Sequence, residues 1–249
     1  MTESSPAICG TCAACCRSYI VQVCGHDVWQ LSRSLHLDPT QFVVPFPQNP
    51  PGLDGFVLHP THPAFGLALD KQGILSPSSP CVFLMELPGN QFRCGVYKNR
   101  PVACKSYPMV LRDNVVLQHP NTLCPPSTWS EQDASRPAWY YALQHKRMHF
   151  DVYYEVVAQW NNVVLNTKGE FEYTFRQYFN YVMNVYDCLE RLSNEFEEHR
   201  FAEMELNWGK NSGPLVNVEG SDRTIYRSSR EFYLHRVQEI AGKIIAANN

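Results

Sequence analysis

The spacing of apolar residues changes near residue 130. Before it, apolar positions come in short runs cut by Pro, Gly, Asn and Asp; after it they recur at helical spacing. Asp27-Val-Trp-Gln30 has the form of a capping box, with Asp27 as N-cap and Gln30 at N3. Val28, Leu31 and Leu35 then fall on one helical face, and Asp38-Pro39 ends that helix or starts the next. Residues 56–59 and 65–70 read as short strands, the second leading into a Lys71-Gln72-Gly73 turn. Residues 81–87 and 91–97 flank Pro88-Gly89-Asn90, and Met109–Arg112 and Val115–Gln118 flank Asp113-Asn114, so two hairpins are predicted. Pro137 suits the first turn of a helix reaching about Val164. Further helices are predicted from Phe171 to about His199 and from Asp222 to Ala247. The fold class is therefore α+β: an irregular module with short β-hairpins over residues 1–130, and a helical region over 131–249 packed on it.

Composition narrows the function. The 249 residues carry a formal net charge of −3, with 8 basic and 7 acidic residues up to position 130 and 13 and 17 beyond it. That balance excludes a general nucleic-acid or membrane-surface binder, and no partnership with nucleic acid is expected. The first residues have neither a basic n-region nor an apolar h-region, and no stretch approaches the roughly 20 apolar residues of a spanning helix. A cytoplasmic protein without a membrane span is expected, and in a reducing compartment clustered cysteines hold metals more often than disulfides.

Nine of the ten cysteines lie at or before Cys124. Cys9-x2-Cys12-x2-Cys15-Cys16 lets Cys9, Cys12 and Cys15 converge on one inorganic centre, while Cys16 points elsewhere, either to a second centre or into packing. Successive x2 intervals with a remote Cys124-Pro125 are reminiscent of the ferredoxin run, while a single C-x2-C would suit a zinc knuckle equally. Cys81 opens one strand of the first hairpin and Cys94 lies on its partner, so the two are expected to be neighbours. Between Arg93 and Arg112 there are five basic residues and no Asp or Glu. A thiolate centre is net negative, and such neighbours stabilise it.

Three motifs occur in order: Cys9-x2-Cys12-x2-Cys15-Cys16, then Pro80-Cys81-Val82-Phe83-Leu84, then Cys94-Gly95-Val96-Tyr97-Lys98-Asn99-Arg100-Pro101-Val102-Ala103-Cys104-Lys105-Ser106-Tyr107-Pro108. Together they resemble the YkgJ-type cysteine-cluster family, a zinc- or iron-chelating domain; a similar domain occurs in flagellin lysine-N-methylases, which are associated with an iron–sulfur cluster. Lys105 stands where the family usually has Arg, and Cys24 is additional to its pattern. The resemblance covers residues 9 to about 124 and implies a metal centre rather than a reaction. It implies metal ligands among Cys9, Cys12, Cys15, Cys16, Cys81, Cys94, Cys104 and Cys124, with Tyr97 and Arg100 in support. Arg100 would orient the loop from Tyr97 to Cys104 or donate to a cluster sulfur.

A [4Fe–4S] cluster is the expected cofactor and Zn²⁺ its alternative. The expected function is electron transfer, cluster handling or assembly of a redox complex. A structural zinc protein with a helical adaptor half, and a metalloprotein related to protein lysine methylation, are the alternatives. The aromatic residues of the second half read as helix–helix core, or else as the face that meets a protein partner, which the helical half is expected to have. Cys188 reads as a packed thiol, His145-x3-His149 as ordinary helix surface and His59-x2-His62 as a loop pair. There is no Gly-rich phosphate loop, no G-x-S-x-G, no H-E-x-x-H and no methyl-donor site.

Overall fold

Local signals set most of the elements. A computed structural model describes residues 12–73, 76, 78–124, 129, 137–167, 171–197, 231, 233–241 and 243–244. Its contacts divide the chain into two compact units. The first comprises Met1–Val23, Gln30–Phe46 and Leu67–Lys146; the second comprises Cys24–Trp29, Pro47–Gly66 and Arg147–Asn249. The class is α+β, with short strand pairs in the first half and a helical second half.

The first unit begins with α1 (Ala14–Ser18). Val21 and Val23 then hydrogen-bond to Leu69 and Leu67 of β2 (Ala64–Leu69), which pairs with β1 (Val43–Gln48). β3 (Leu84–Leu87) and β4 (Gln91–Cys94) are antiparallel, with Leu84 opposite Cys94 and Leu87 opposite Gln91. Gly89 and Asn90 turn that hairpin at positive φ (80° and 56°). After α3 (Val102–Ser106), the hairpin of β5 (Met109–Arg112) and β6 (Val115–Gln118) has the predicted bounds. Asp113 and Asn114 both take positive φ, 49° and 63°, the conformation a two-residue hairpin turn with right-handed strand twist needs. Met109, Trp129 and Leu143 form a small apolar cluster behind it.

In the second unit, α4 (Pro137–Asn166) contributes the face Met148, Val152, Val156, Val157, Trp160 and Val164, all buried at helical spacing. α5 (Phe175–Glu197) contributes Tyr178, Val182, Val185 and Leu189. The aromatics foreseen as core are core at these positions: the Tyr178 ring lies 3.7 Å from Phe56, face to face, and 5.2 Å from Trp160, edge-on. Residues 233–241 are helical; the first part of the predicted third helix lies outside the described residues. No described helix is long and apolar enough to cross a membrane.

Four expectations are corrected. α2 spans Gly25–Leu35, so Asp27 is not its N-cap but stands in its first turn, where its carboxylate accepts the backbone N–H of Cys24 at 3.1 Å. Residues 56–59 are not a strand. Phe56 bridges Phe65, and the next backbone groups go to α4 side chains instead: Val57 donates to Asn161 Oδ1 at 2.9 Å, and Trp160 Nε1 donates to the Val57 carbonyl at 2.7 Å. α5 starts at Phe175 rather than Phe171, because Thr174 and Gln177 form a reciprocal cap there. Cys81 does not open a strand but precedes β3 through a tight turn, Leu84 N–H to Cys81 carbonyl at 2.9 Å.

Candidate metal centre

The first unit brings cysteines from three separated segments together. Ala13 sits between Cys12 and α1 in the left-handed region, φ 53°, an uncommon place for a residue with a Cβ. That turn leaves Cys12 exposed and sends Cys15 and Cys16 into the helix, half-buried. Cys16 holds the next segment through its carbonyl, which accepts the backbone N–H of Cys81 at 2.8 Å and the Lys71 ammonium at 3.3 Å. Lys71 also bridges Cys81 backbone to backbone, and Gln72 Nε2 donates to the carbonyls of Cys81 (3.1 Å) and Leu84 (2.8 Å). Arg17 of α1 covers the Phe92 ring of β4 at 3.9 Å. The β3–β4 register then sets Cys94 opposite Leu84, with Gly95 N–H on the Phe83 carbonyl at 2.8 Å. The expected nearness of Cys81 and Cys94 is therefore produced by a turn and a register, not by two long strands.

Cys15 bears on the thiols of both later segments. Burial pushes the Cys81 and Cys94 thiols up, and each is raised further by Cys15. The Cys15 thiol is driven up by its hydrogen bond with Cys16 and then by burial. Opposing this, the backbone N–H of Phe83 faces the Cys81 sulfur and that of Val96 faces the Cys94 sulfur. In both cases the donor is two residues beyond the cysteine, a loop that satisfies a thiolate with peptide N–H groups. Lys71 adds positive charge beside Cys81, Cys16 and Cys15; it is only 3% exposed, and burial lowers its pKa. This donor set is soft, buried and lined by N–H and cationic groups, which fits a thiophilic metal or an iron–sulfur core. Among the described residues no three or more Cys, His, Asp or Glu side chains are grouped so that they could hold a metal ion.

The other cysteines fall elsewhere. Cys9 lies outside the described residues. Cys104 is half-buried on α3. Cys124 packs against the Met109–Trp129–Leu143 cluster, its backbone N–H on Thr122 Oγ1 at 3.2 Å. Tyr107 fixes that stretch, since its hydroxyl meets Thr122 Oγ1 at 2.8 Å and accepts Leu123 N–H at 2.7 Å. Cys24, fully buried, has its thiol 3.4 Å from the Asp27 carboxylate in the second unit. Cys188 accepts a hydrogen bond from Arg191 at 3.1 Å, and His62 pairs with Glu172 at 3.2 Å. His149 departs from the surface role expected of it: it is 9% exposed and stacks on His26 with ring centroids 3.7 Å apart. Sequence reasoning missed Lys71, Gln72 and Arg17; the one available signal was a lysine two residues past an apolar strand.

Taken together, the module is a cysteine-rich, metal-chelating one. Residues 8–125 match the model of the CxxCxxCC family, described as a putative zinc- or iron-chelating domain. No curated protein and no solved structure matches the chain.

Proposed function

We propose that the module carries a [4Fe–4S] cluster and serves electron transfer, cluster handling or the assembly of a redox complex. The observation that supports this reading is that the Cys15 thiol bears on both Cys81 and Cys94, which come from two other segments and whose sulfurs are faced by peptide N–H groups. Cys12, three residues before Cys15 and exposed on the turn, completes a four-thiolate set. Cys9, Cys16, Cys104 and Cys124 are the thiols from which a second centre would draw. Repeated x2 spacing favours iron–sulfur over zinc, because it is the spacing of ferredoxin ligands. A zinc centre is the second reading, favoured by the fact that Cys12-x2-Cys15 alone also suits a tetrahedral knuckle.

The test is anaerobic purification of the full chain, followed by iron, sulfide and zinc analysis and visible absorption. Iron and acid-labile sulfide in equal amounts, with a broad visible charge-transfer band, are expected. A colourless protein with stoichiometric zinc overturns the iron–sulfur reading in favour of the second.

A further inference from the structure

Arg100 is out of balance with its surroundings. Its Nε and Nη1 are buried, and among the described residues neither has a hydrogen-bond partner. A guanidinium stays charged at any accessible pH and can only donate, so two buried donors without acceptors are costly. The side chain is not loose. Its central carbon lies 4.1 Å from the centroid of the Tyr97 ring, which holds the guanidinium plane. Its backbone is followed by Pro101, whose carbonyl accepts Lys105 N–H at 2.9 Å as α3 begins. The run from Arg93 to Arg112 contains no carboxylate that would pair with it. Arg100 also stands near enough to Cys94 for its positive charge to favour the thiolate there.

We propose that Arg100 is a positioning residue of the metal centre: its Nε–H and Nη1–H donate to sulfur atoms of the bound centre on the Cys94 side, with Tyr97 holding the fork in plane. The inference rests on the reading that a metal centre forms at Cys15, Cys81 and Cys94. Two consequences follow. Donation to sulfur, together with the fixed positive charge, favours the more reduced and more negative form of a cluster, so it raises the reduction potential. It also orients Cys94 for any thiophilic metal, zinc included, so its loss weakens binding as other outer-shell losses do.

The experiment uses the full chain with Arg100→Gln, Arg100→Lys and Tyr97→Leu, each checked for fold by circular dichroism before loading. One portion is reconstituted anaerobically with iron and sulfide for voltammetry; the other is titrated with Co²⁺ against a chelator. Arg100→Gln is expected to load iron but to show a more negative midpoint potential than wild type, and to bind Co²⁺ about 10- to 100-fold more weakly. Arg100→Lys restores part of the potential, because charge remains while the fork is lost. Tyr97→Leu falls between wild type and Arg100→Gln.

Wild-type potential and Co²⁺ affinity in a folded Arg100→Gln overturn the inference. If Arg100→Gln fails to fold, wild-type values in Arg100→Lys overturn it, showing that charge alone is needed. Loss of binding of added inorganic phosphate with unchanged metal properties also overturns it, assigning Arg100 to a solvent anion. A wild-type protein that takes zinc and no iron–sulfide cluster overturns the iron–sulfur reading alone, and the cobalt titration then decides Arg100. A wild-type protein that takes no metal overturns both.

Discussion

Tyr153 and Tyr178 share a hydroxyl–hydroxyl hydrogen bond of 2.9 Å, and both side chains are fully buried. Neither has an alternative. The Tyr178 ring is stacked on Phe56 at 3.7 Å with an interplanar angle of 7°, and Trp160 closes its edge, so the hydroxyl has no route to water. Tyr153→Phe removes one oxygen and leaves the Tyr178 hydroxyl buried without its partner. The expected cost is the desolvation of one orphaned polar group, about 1–3 kcal/mol. For a chain of this size that corresponds to a fall in Tm of about 2–4 °C per kcal/mol. Tyr178→Phe should cost about the same, for the same reason. The double variant should lie close to wild type, because removing both polar groups leaves nothing unsatisfied. Chemical denaturation of all four proteins, closed as a double-mutant cycle, gives the coupling energy directly. Neutral single variants, or a double variant whose loss is the sum of the two, would refute the reasoning that each hydroxyl depends on the other.

Three further outcomes are expected. Cys12→Ser should abolish metal loading while Cys188→Ser leaves it intact, as measured by metal-to-protein ratio; equal loss in both would remove the ligand assignment. The buried Cys15, Cys81 and Cys94 thiols titrate above their ordinary range. Their stabilising contribution is therefore full below the unfolded-state thiol pKa of about 8.5 and is lost as pH rises above it, since the unfolded chain ionises first. Denaturation midpoints of the metal-free protein should fall between neutral and strongly alkaline pH, and midpoints flat over that window would contradict the burial argument. Gly25→Ala should destabilise by about 1–3 kcal/mol, because the new methyl would run into the Tyr186 ring and lie 2.9 Å from the Tyr153 ring, both buried. A thermal melt unchanged from wild type would show that these rings can yield.

The elements legible in the sequence are those with determinants a few residues apart. Asp113-Asn114 between two apolar runs specified a hairpin of the observed register, and Pro137 marked the start of the long helix. The α2 start was misplaced by three residues because an aspartate three residues before a glutamine satisfies the cap rule in sequence. In the fold that aspartate serves the N–H of Cys24 instead. The strand expected at 56–59 failed for a similar reason: its backbone groups are taken by Asn161 and Trp160, about a hundred residues away.

The candidate site divides in the same way. Cysteine spacing by itself pointed to a thiolate site in the N-terminal half, because ligand geometry near one centre restricts the number of intervening residues, and the ordered motifs matched those of a metal-chelating family. Which cysteine-bearing segments lie side by side was decided only by tertiary structure. The Cys16 carbonyl accepts the Cys81 N–H, and strand register sets Cys94 opposite Leu84; neither pairing is written in local spacing. The same holds for Lys71, buried beside the thiols, and for Arg100, whose two buried donors have no partner among the described residues. A charge in sequence is only a count, and it becomes a constraint once folding removes the water around it.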